Sequence, residues 1–254
     1  MRIAAIAQQE SQGSVRFARL EGVRAHFFDR APWLGGRETG ESASWTEGDL
    51  ACPVAPSKIV CVGRNYAAHA KELGHEIPSE PLLFLKPPSA LLGPAGTVAL
   101  PPESARVEHE AELAVVIGRR AKNLTKDDAL GAVFGYTCAC DVTARDLQRK
   151  DVQFTRAKSF DTFCPVGPWI ETELEPGVVG IRCRVNGETR QDGNTSRMLF
   201  DVPTVVSYVS HMMTLEAGDL LLTGTPQGVG PLVAGDSLEV DIDHVGTLKL
   251  RVEK

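Results

Sequence analysis

Strand-length apolar runs, grouped rather than alternating with helices, set the tightest limit on the architecture of this chain. Ser14-Val15-Arg16-Phe17-Ala18-Arg19-Leu20 leads through Glu21-Gly22 into Val23-Arg24-Ala25-His26-Phe27-Phe28, the pattern of a hairpin. Lys58-Ile59-Val60-Cys61-Val62-Gly63 and residues 112–117 read as buried strands, and residues 220–252 are strand-rich with Gly-Asp and Gly-Thr punctuation. Helical signals are few. Residues 65–73 read as a helix stopped by Gly74, Thr125 caps a short helix, and Asp201 with Pro203 opens a longer one running to about Met213. Strands clustered before and after a few helices predict an α+β, mostly β architecture, not βαβ alternation. The polar stretch 39–49 reads as a linker, so a small N-terminal β region (residues 1–55) is expected ahead of a larger domain (residues 56–254).

Composition excludes several function classes. A formal net charge of -6 supplies no basic footprint for nucleic acid. No apolar run approaches the roughly 20 residues that span a bilayer. The first ten residues turn polar too early for the apolar region of a signal peptide, so a cytoplasmic location is expected. Cys52, Cys61, Cys138, Cys140, Cys164 and Cys183 are scattered without zinc-site spacing and read as reduced thiols in or near the core.

Five segments carry groups suited to chemistry. In Val107-Glu108-His109-Glu110-Ala111-Glu112-Leu113, alternation on a strand turns Glu108, Glu110 and Glu112 to one face. Like charges that close repel unless water or a cation neutralises them, and carboxylates at i and i+2 suit one hard divalent ion. An acidic strand face in solvent fits the pattern too. Asp141, at the end of the apolar run Tyr136-Thr137-Cys138-Ala139-Cys140, is either a third carboxylate or the cap of the following helix. His69 and Glu72 lie three apart on a helix, either a carboxylate-oriented general base or a surface contact. Lys158 sits among small and apolar residues, facing either an anionic pocket or solvent. The glycine-rich stretch 218–231 suits either a carboxylate-binding loop or a tight turn.

Taken in order, Cys61-Val62-Gly63-Arg64-Asn65-Tyr66, Glu110-Ala111-Glu112-Leu113-Ala114-Val115-Val116-Ile117-Gly118, Asp141-Val142-Thr143-Ala144-Arg145-Asp146-Leu147-Gln148, Ala157-Lys158-Ser159-Phe160 and Leu222-Thr223-Gly224-Thr225-Pro226 make the chain resemble the fumarylacetoacetate hydrolase family from about Pro56 onward. The resemblance implies a β-sandwich roll with a few flanking helices, usually a homodimer. It places metal-binding carboxylates on Glu110, Glu112 and Asp141, leaving Glu108 at the rim. It places a lysine near substrate on Lys158, the His–Glu dyad of acylpyruvase-like members on His69 and Glu72, and substrate contacts on Arg64, Gln148 and Thr225. Val142-Thr143 stands where fumarylacetoacetase enzymes carry Trp-Ser, which points to the bacterial group of acylpyruvase and 2-hydroxyhepta-2,4-diene-1,7-dioate isomerase type.

The implied activity is carbon–carbon hydrolysis of an acylpyruvate-type 2,4-dioxo acid with Mg²⁺ or Mn²⁺, a small 2-oxo acid being the expected partner. Oxaloacetate decarboxylation and 2-hydroxy-dienoate isomerisation or hydration use the same site. The alternative of another class is a metal-binding module without catalysis.

Overall fold

A computed structural model describes residues 1–8 and 14–254. The strand Ala111–Ile117 organises it. Its residues are buried throughout, with Leu113, Val115 and Ile117 entering one core and Ala114 and Val116 another, as a period of two requires when both faces of a strand are covered. It lies within a large sheet whose order is Glu38–Ser44, Arg24–Phe28, Val15–Glu21, Arg2–Ala7, Cys164–Glu171, Val133–Cys140, Ala111–Ile117, Leu220–Leu222, Ile59–Gly63, Leu82–Lys86. Neighbours along this path are antiparallel except Leu220–Leu222 with Ile59–Gly63, which run parallel.

A five-stranded sheet of Glu188–Asn194, Gly180–Val185, Ser237–Ile242, Gly246–Glu253 and Thr97–Ala99 shares a core with one face of the large sheet. Ile181, Cys183, Leu238, Val240, Leu248 and Leu250 cluster there with Leu113, Val115 and Cys138. Two sheets with interdigitated inner faces make a sandwich, so the mostly β expectation holds. The opposite face of the large sheet buries Ile3, Ile59, Cys61, Val166, Ile170, Leu220 and Leu222.

The expected hairpin is present, with Gly22 at φ 56° in its turn. Residues 38–44 form a strand rather than part of a linker: Glu38–Ser44 pairs with Arg24–Phe28. Its side chains are mostly exposed at the sheet edge, so its stability comes from the backbone ladder and it shows no apolar alternation. Arg19 and Arg16 donate to Glu38 and Glu41 across this region at 2.6 and 2.7 Å.

Among the described residues five α-helices flank the sheets: α1 (Ala67–Glu72), α2 (Lys126–Ala129), α3 (Arg145–Lys150), α4 (Thr155–Lys158) and α5 (Val202–Met212). Thr125 accepts from Asp128 N at 3.2 Å and Asp201 from Thr204 N at 3.0 Å, the two expected caps. α1 begins later than residue 65 because Asn65 is a buried crosslink instead. Its Nδ2 donates to Phe200 O and Thr223 O at 2.9 and 2.7 Å, while its Oδ1 accepts from Phe200 N at 2.8 Å. No helix among the described residues is long and apolar enough to cross a membrane, and the six cysteines are free thiols.

Candidate active site

Sheet register builds the acidic cluster. Ala111 pairs with Cys140, which sets Glu110 beside Asp141, and Asp141 N donates to Glu110 O at 2.8 Å. Glu112 follows one pleat further on. The ligand oxygens of Glu110, Glu112 and Asp141 all lie within 4.8 Å of one another, and all three residues are buried. Asp141 is therefore no helix cap: α3 starts at Arg145, and the Asp141 carboxylate is bonded by Lys86 and by Lys158, the latter at 2.6 Å.

Four buried carboxylates, Glu108, Glu110, Glu112 and Asp141, face three buried cations, Lys86, Arg145 and Lys158. Glu108 is 2% exposed, not at the rim, because Arg145 at 2.7 Å and Arg106 at 2.5 Å hold it. Lys158 donates to Glu110 at 2.9 Å and lies 5.1 Å from the centre of the Phe84 ring. Burial disfavours the charged form of Glu110, but Lys158 and Arg145 outweigh it and hold the carboxyl well below the usual range. Glu112 has the opposite balance. Burial, then the charges of Asp141 and Glu110, push its carboxyl well up. It accepts Gly224 N–H at 2.6 Å, but no ion pair among the described residues reaches it. An oxygen-only donor set with one uncompensated buried carboxylate fits a hard divalent cation.

The other walls come from distant segments. Leu222 pairs with Ala114, and the chain continues alongside the same strand: Thr223 N donates to Leu113 O at 3.2 Å and Thr225 Oγ1 to Ala111 O at 2.8 Å. The strand Ile59–Gly63 ends at Arg64, whose φ of 58° turns the chain toward α1. His69, 4% exposed, stands on α1 with Nδ1 3.4 Å from Glu72 Oε2. Glu72 also accepts Gly228 N–H at 3.0 Å. Gln148 on α3 accepts from Arg145 at 2.6 Å.

One cleft of about 30 Å³ is lined by Arg64, His69, Glu110, Glu112, Asp141, Gln148, Lys158 and Thr225, with Glu72 behind His69. Arg145, His75, Phe84 and Phe154 also line it, and Lys86 donates to Asp141 and, at 3.2 Å, to Val142 O. Sequence reading assigned none of these five a role. Arg145 and Lys86 each follow an apolar or small-residue run that ends in a single cation, a weak signal of a charge drawn inward.

Such a cleft, with a buried carboxylate triad beside a lysine and a histidine–carboxylate pair across from it, defines a class that the family match specifies. Residues 58–253 match the model of the fumarylacetoacetate (FAA) hydrolase C-terminal domain, and the chain belongs to that enzyme family. The solved structure of 2-hydroxyhepta-2,4-diene-1,7-dioate isomerase from Mycobacterium marinum is 42% identical with a TM-score of 0.90, covering 100% of this chain and 98% of that one. Mitochondrial oxaloacetate decarboxylase of Dictyostelium discoideum is 47% identical over 197 residues, 75% of this chain and 90% of the relative. Mitochondrial oxaloacetate tautomerase FAHD1 of Bos taurus is 45% identical over 202 residues, 77% of this chain and 91% of the relative.

Proposed function

We propose that this chain is a divalent-metal-dependent enzyme that generates or consumes the enolate of a small 2-oxo acid, with oxaloacetate as the first substrate to test. The observation that carries the reading is the buried Glu110–Glu112–Asp141 cluster with Lys158 within hydrogen-bonding distance of two of its members. Glu110, Glu112 and Asp141 would hold Mg²⁺ or Mn²⁺, which would supply Lewis-acid neutralisation of the charge on a bound 2-oxo acid.

The protein's own groups divide the remaining work. Lys158, buried and held charged, puts fixed positive charge where an enolate oxygen develops. Its protonated form survives burial because Asp141 and Glu110 outweigh desolvation. His69, oriented by Glu72, faces the cleft as the group that takes or returns a proton at substrate carbon. Arg64, Gln148 and Thr225 bind and orient the anionic substrate from the cleft walls. The names of the relatives, an oxaloacetate decarboxylase, an oxaloacetate tautomerase and a dioate isomerase, share enolate chemistry and support this order of testing.

The His69–Glu72 pair favours a second reading on the same site, hydrolysis of an acylpyruvate. There His69 takes a proton from water, hydroxide attacks the distal carbonyl, and the carbon–carbon bond breaks to give pyruvate enolate and a carboxylic acid. A homodimer in solution belongs to the proposal and is read by light scattering. The deciding assay runs oxaloacetate and acetylpyruvate in parallel with Mg²⁺, for wild type and Glu110→Ala. Metal-dependent loss of either absorbance that the variant lacks supports the site. Turnover surviving in Glu110→Ala refutes it.

A further inference from the structure

Gln191 is fully buried in the strand Glu188–Asn194, in a sheet that contributes no residue to the cleft wall. Its amide is saturated by groups that frame the site. Oε1 accepts Ala111 N–H at 3.0 Å and faces His109 Nδ1 at 3.1 Å, while Nε2 donates to Thr225 Oγ1 at 2.7 Å and to Pro226 O at 2.8 Å. The amide has one orientation only. Ala111 N can only donate and Pro226 O can only accept, so the oxygen and nitrogen cannot exchange, and His109 carries its proton on Nδ1.

Residues 225–228 pack against this strand. A Cβ on Gly193 would come within 2.5 Å of Pro226, and one on Gly228, at φ +96°, within 2.2 Å of Arg190 O. From that bed the segment reaches three parts of the site. Gly224 N–H meets Glu112 at 2.6 Å, Thr225 lines the cleft, and Gly228 N–H meets Glu72 at 3.0 Å.

We propose that Gln191 is a positioning residue whose side-chain amide pins Thr225 and Pro226, fixing the Thr225 side chain at the cleft wall and seating the Gly228 N–H against Glu72. This rests on the catalytic reading of the cleft given above. With Gln191 Nε2–H occupying one lone pair of Thr225 Oγ1, the Thr225 proton has to point elsewhere. It goes to Ala111 O at 2.8 Å, so the two bonds together hold the Thr225 side chain in one rotamer at the cleft wall. The strand position thus acts on substrate through Thr225 and on His69 through Gly228 and Glu72.

The test combines hydrogen–deuterium exchange with steady-state kinetics on oxaloacetate and Mg²⁺, for wild type, Gln191→Met and Gln191→Glu, each also in a Thr225→Val background. Gln191→Met is expected to speed exchange in residues 223–230 by about tenfold or more while α5 stays protected. It should raise KM by about tenfold with a smaller change in kcat, the scale of one lost hydrogen bond. In the Thr225→Val background the same change should add less than about twofold, since contacting residues are not additive. Gln191→Glu keeps acceptors for Ala111 and His109 but loses the donor to Thr225, so it should raise KM in a protein that still melts cooperatively. It also serves if Gln191→Met fails to fold. Exchange unchanged in 223–230, exchange faster equally along the whole chain, or additive KM effects would each overturn the assignment. A wild type inert toward oxaloacetate and acetylpyruvate alike would instead sink the catalytic reading, and the exchange data would still decide whether Gln191 holds the segment.

Discussion

Replacing Glu112 by glutamine separates the charge of the cluster from its shape. Ligand oxygens of Glu110, Glu112 and Asp141 lie within 4.8 Å of one another. One like-charge pair at that distance repels by about 3.5 kcal/mol at an effective dielectric constant of ~20. Lys158 offsets part of this at Glu110 and Asp141, but it forms no ion pair with Glu112. Glutamine keeps a carbonyl oxygen for the Gly224 N–H and removes the charge. Metal-free Glu112→Gln should therefore be more stable than metal-free wild type by about 1–3 kcal/mol once the site relaxes, since much of the repulsion is already screened. At about 2–4 °C per kcal/mol for a chain of this size, that is a Tm rise of roughly 2–12 °C. Mg²⁺ at a hundred times Kd should then add about 2.7 kcal/mol to wild type and little to the variant. Scanning calorimetry on chelator-stripped protein at pH 8, with and without Mg²⁺, measures both quantities. A metal-free variant that melts below wild type, or one that Mg²⁺ stabilises as much as wild type, would refute the electrostatic argument.

His69→Ala should lower turnover about 10²- to 10⁴-fold while the Mg²⁺-dependent Tm shift stays as in wild type; loss of that shift would tie His69 to the metal instead. Arg145→Met leaves Glu108 and Glu110 buried without their shared partner, and urea titration should show a loss of about 3–5 kcal/mol. Gly228→Ala places a Cβ 2.2 Å from Arg190 O at a positive φ, so kcat should fall together with stability, by about 1–3 kcal/mol or more. Asp201→Ala removes the α5 cap and should cost about 1 kcal/mol near neutral pH. Burial opposes ionisation of Asp201, but hydrogen bonds from Lys126 and Thr204 outweigh it and hold the carboxyl below its ordinary value of 3.8. A lowered carboxyl contributes stability above that ordinary value and loses it as pH falls through the folded one, so the gap between wild type and Asp201→Ala should close below about pH 4. A gap that persists in acid would show that the cap does not act through its charge.

Sequence reading worked where one local pattern carried the information. Alternation alone turns Glu110 and Glu112 the same way, and the buried run that follows marks which end of the acidic strand enters the core. Caps at Thr125 and Asp201 have a side-chain mechanism that needs no tertiary context. Pairing Asp141 with that face depended on the register of two strands, which no single segment encodes and which the family resemblance supplied. Glu38–Ser44 escaped notice because an edge strand with exposed side chains has no apolar period to read. Gln191 lies in Glu-Thr-Arg-Gln-Asp-Gly-Asn, a run that looks like a surface hairpin, and only the packing of residues 225–228 against it shows that its amide is buried. Lys86 and Arg145 were hard to place for a related reason: a cation gives no sign in sequence of the carboxylate that will draw it inward.

The parallel pairing of Leu220–Leu222 with Ile59–Gly63 has a consequence for the order in which the molecule assembles. The three carboxylates lie in or next to two adjacent antiparallel strands, Ala111–Ile117 and Val133–Cys140, joined by residues 118–132 through α2. His69, Thr225 and Gly228 meet them only after segments from opposite ends of the chain have closed on one another, a slower event because the loop-closure entropy is spent before the contacts form. On the proposed reading, cation capture and proton transfer would then be separable in time. During refolding the acidic half is then expected to bind an ion before the other half of the cleft forms. Mg²⁺ should then accelerate early protection of residues 111–140 without advancing the appearance of activity.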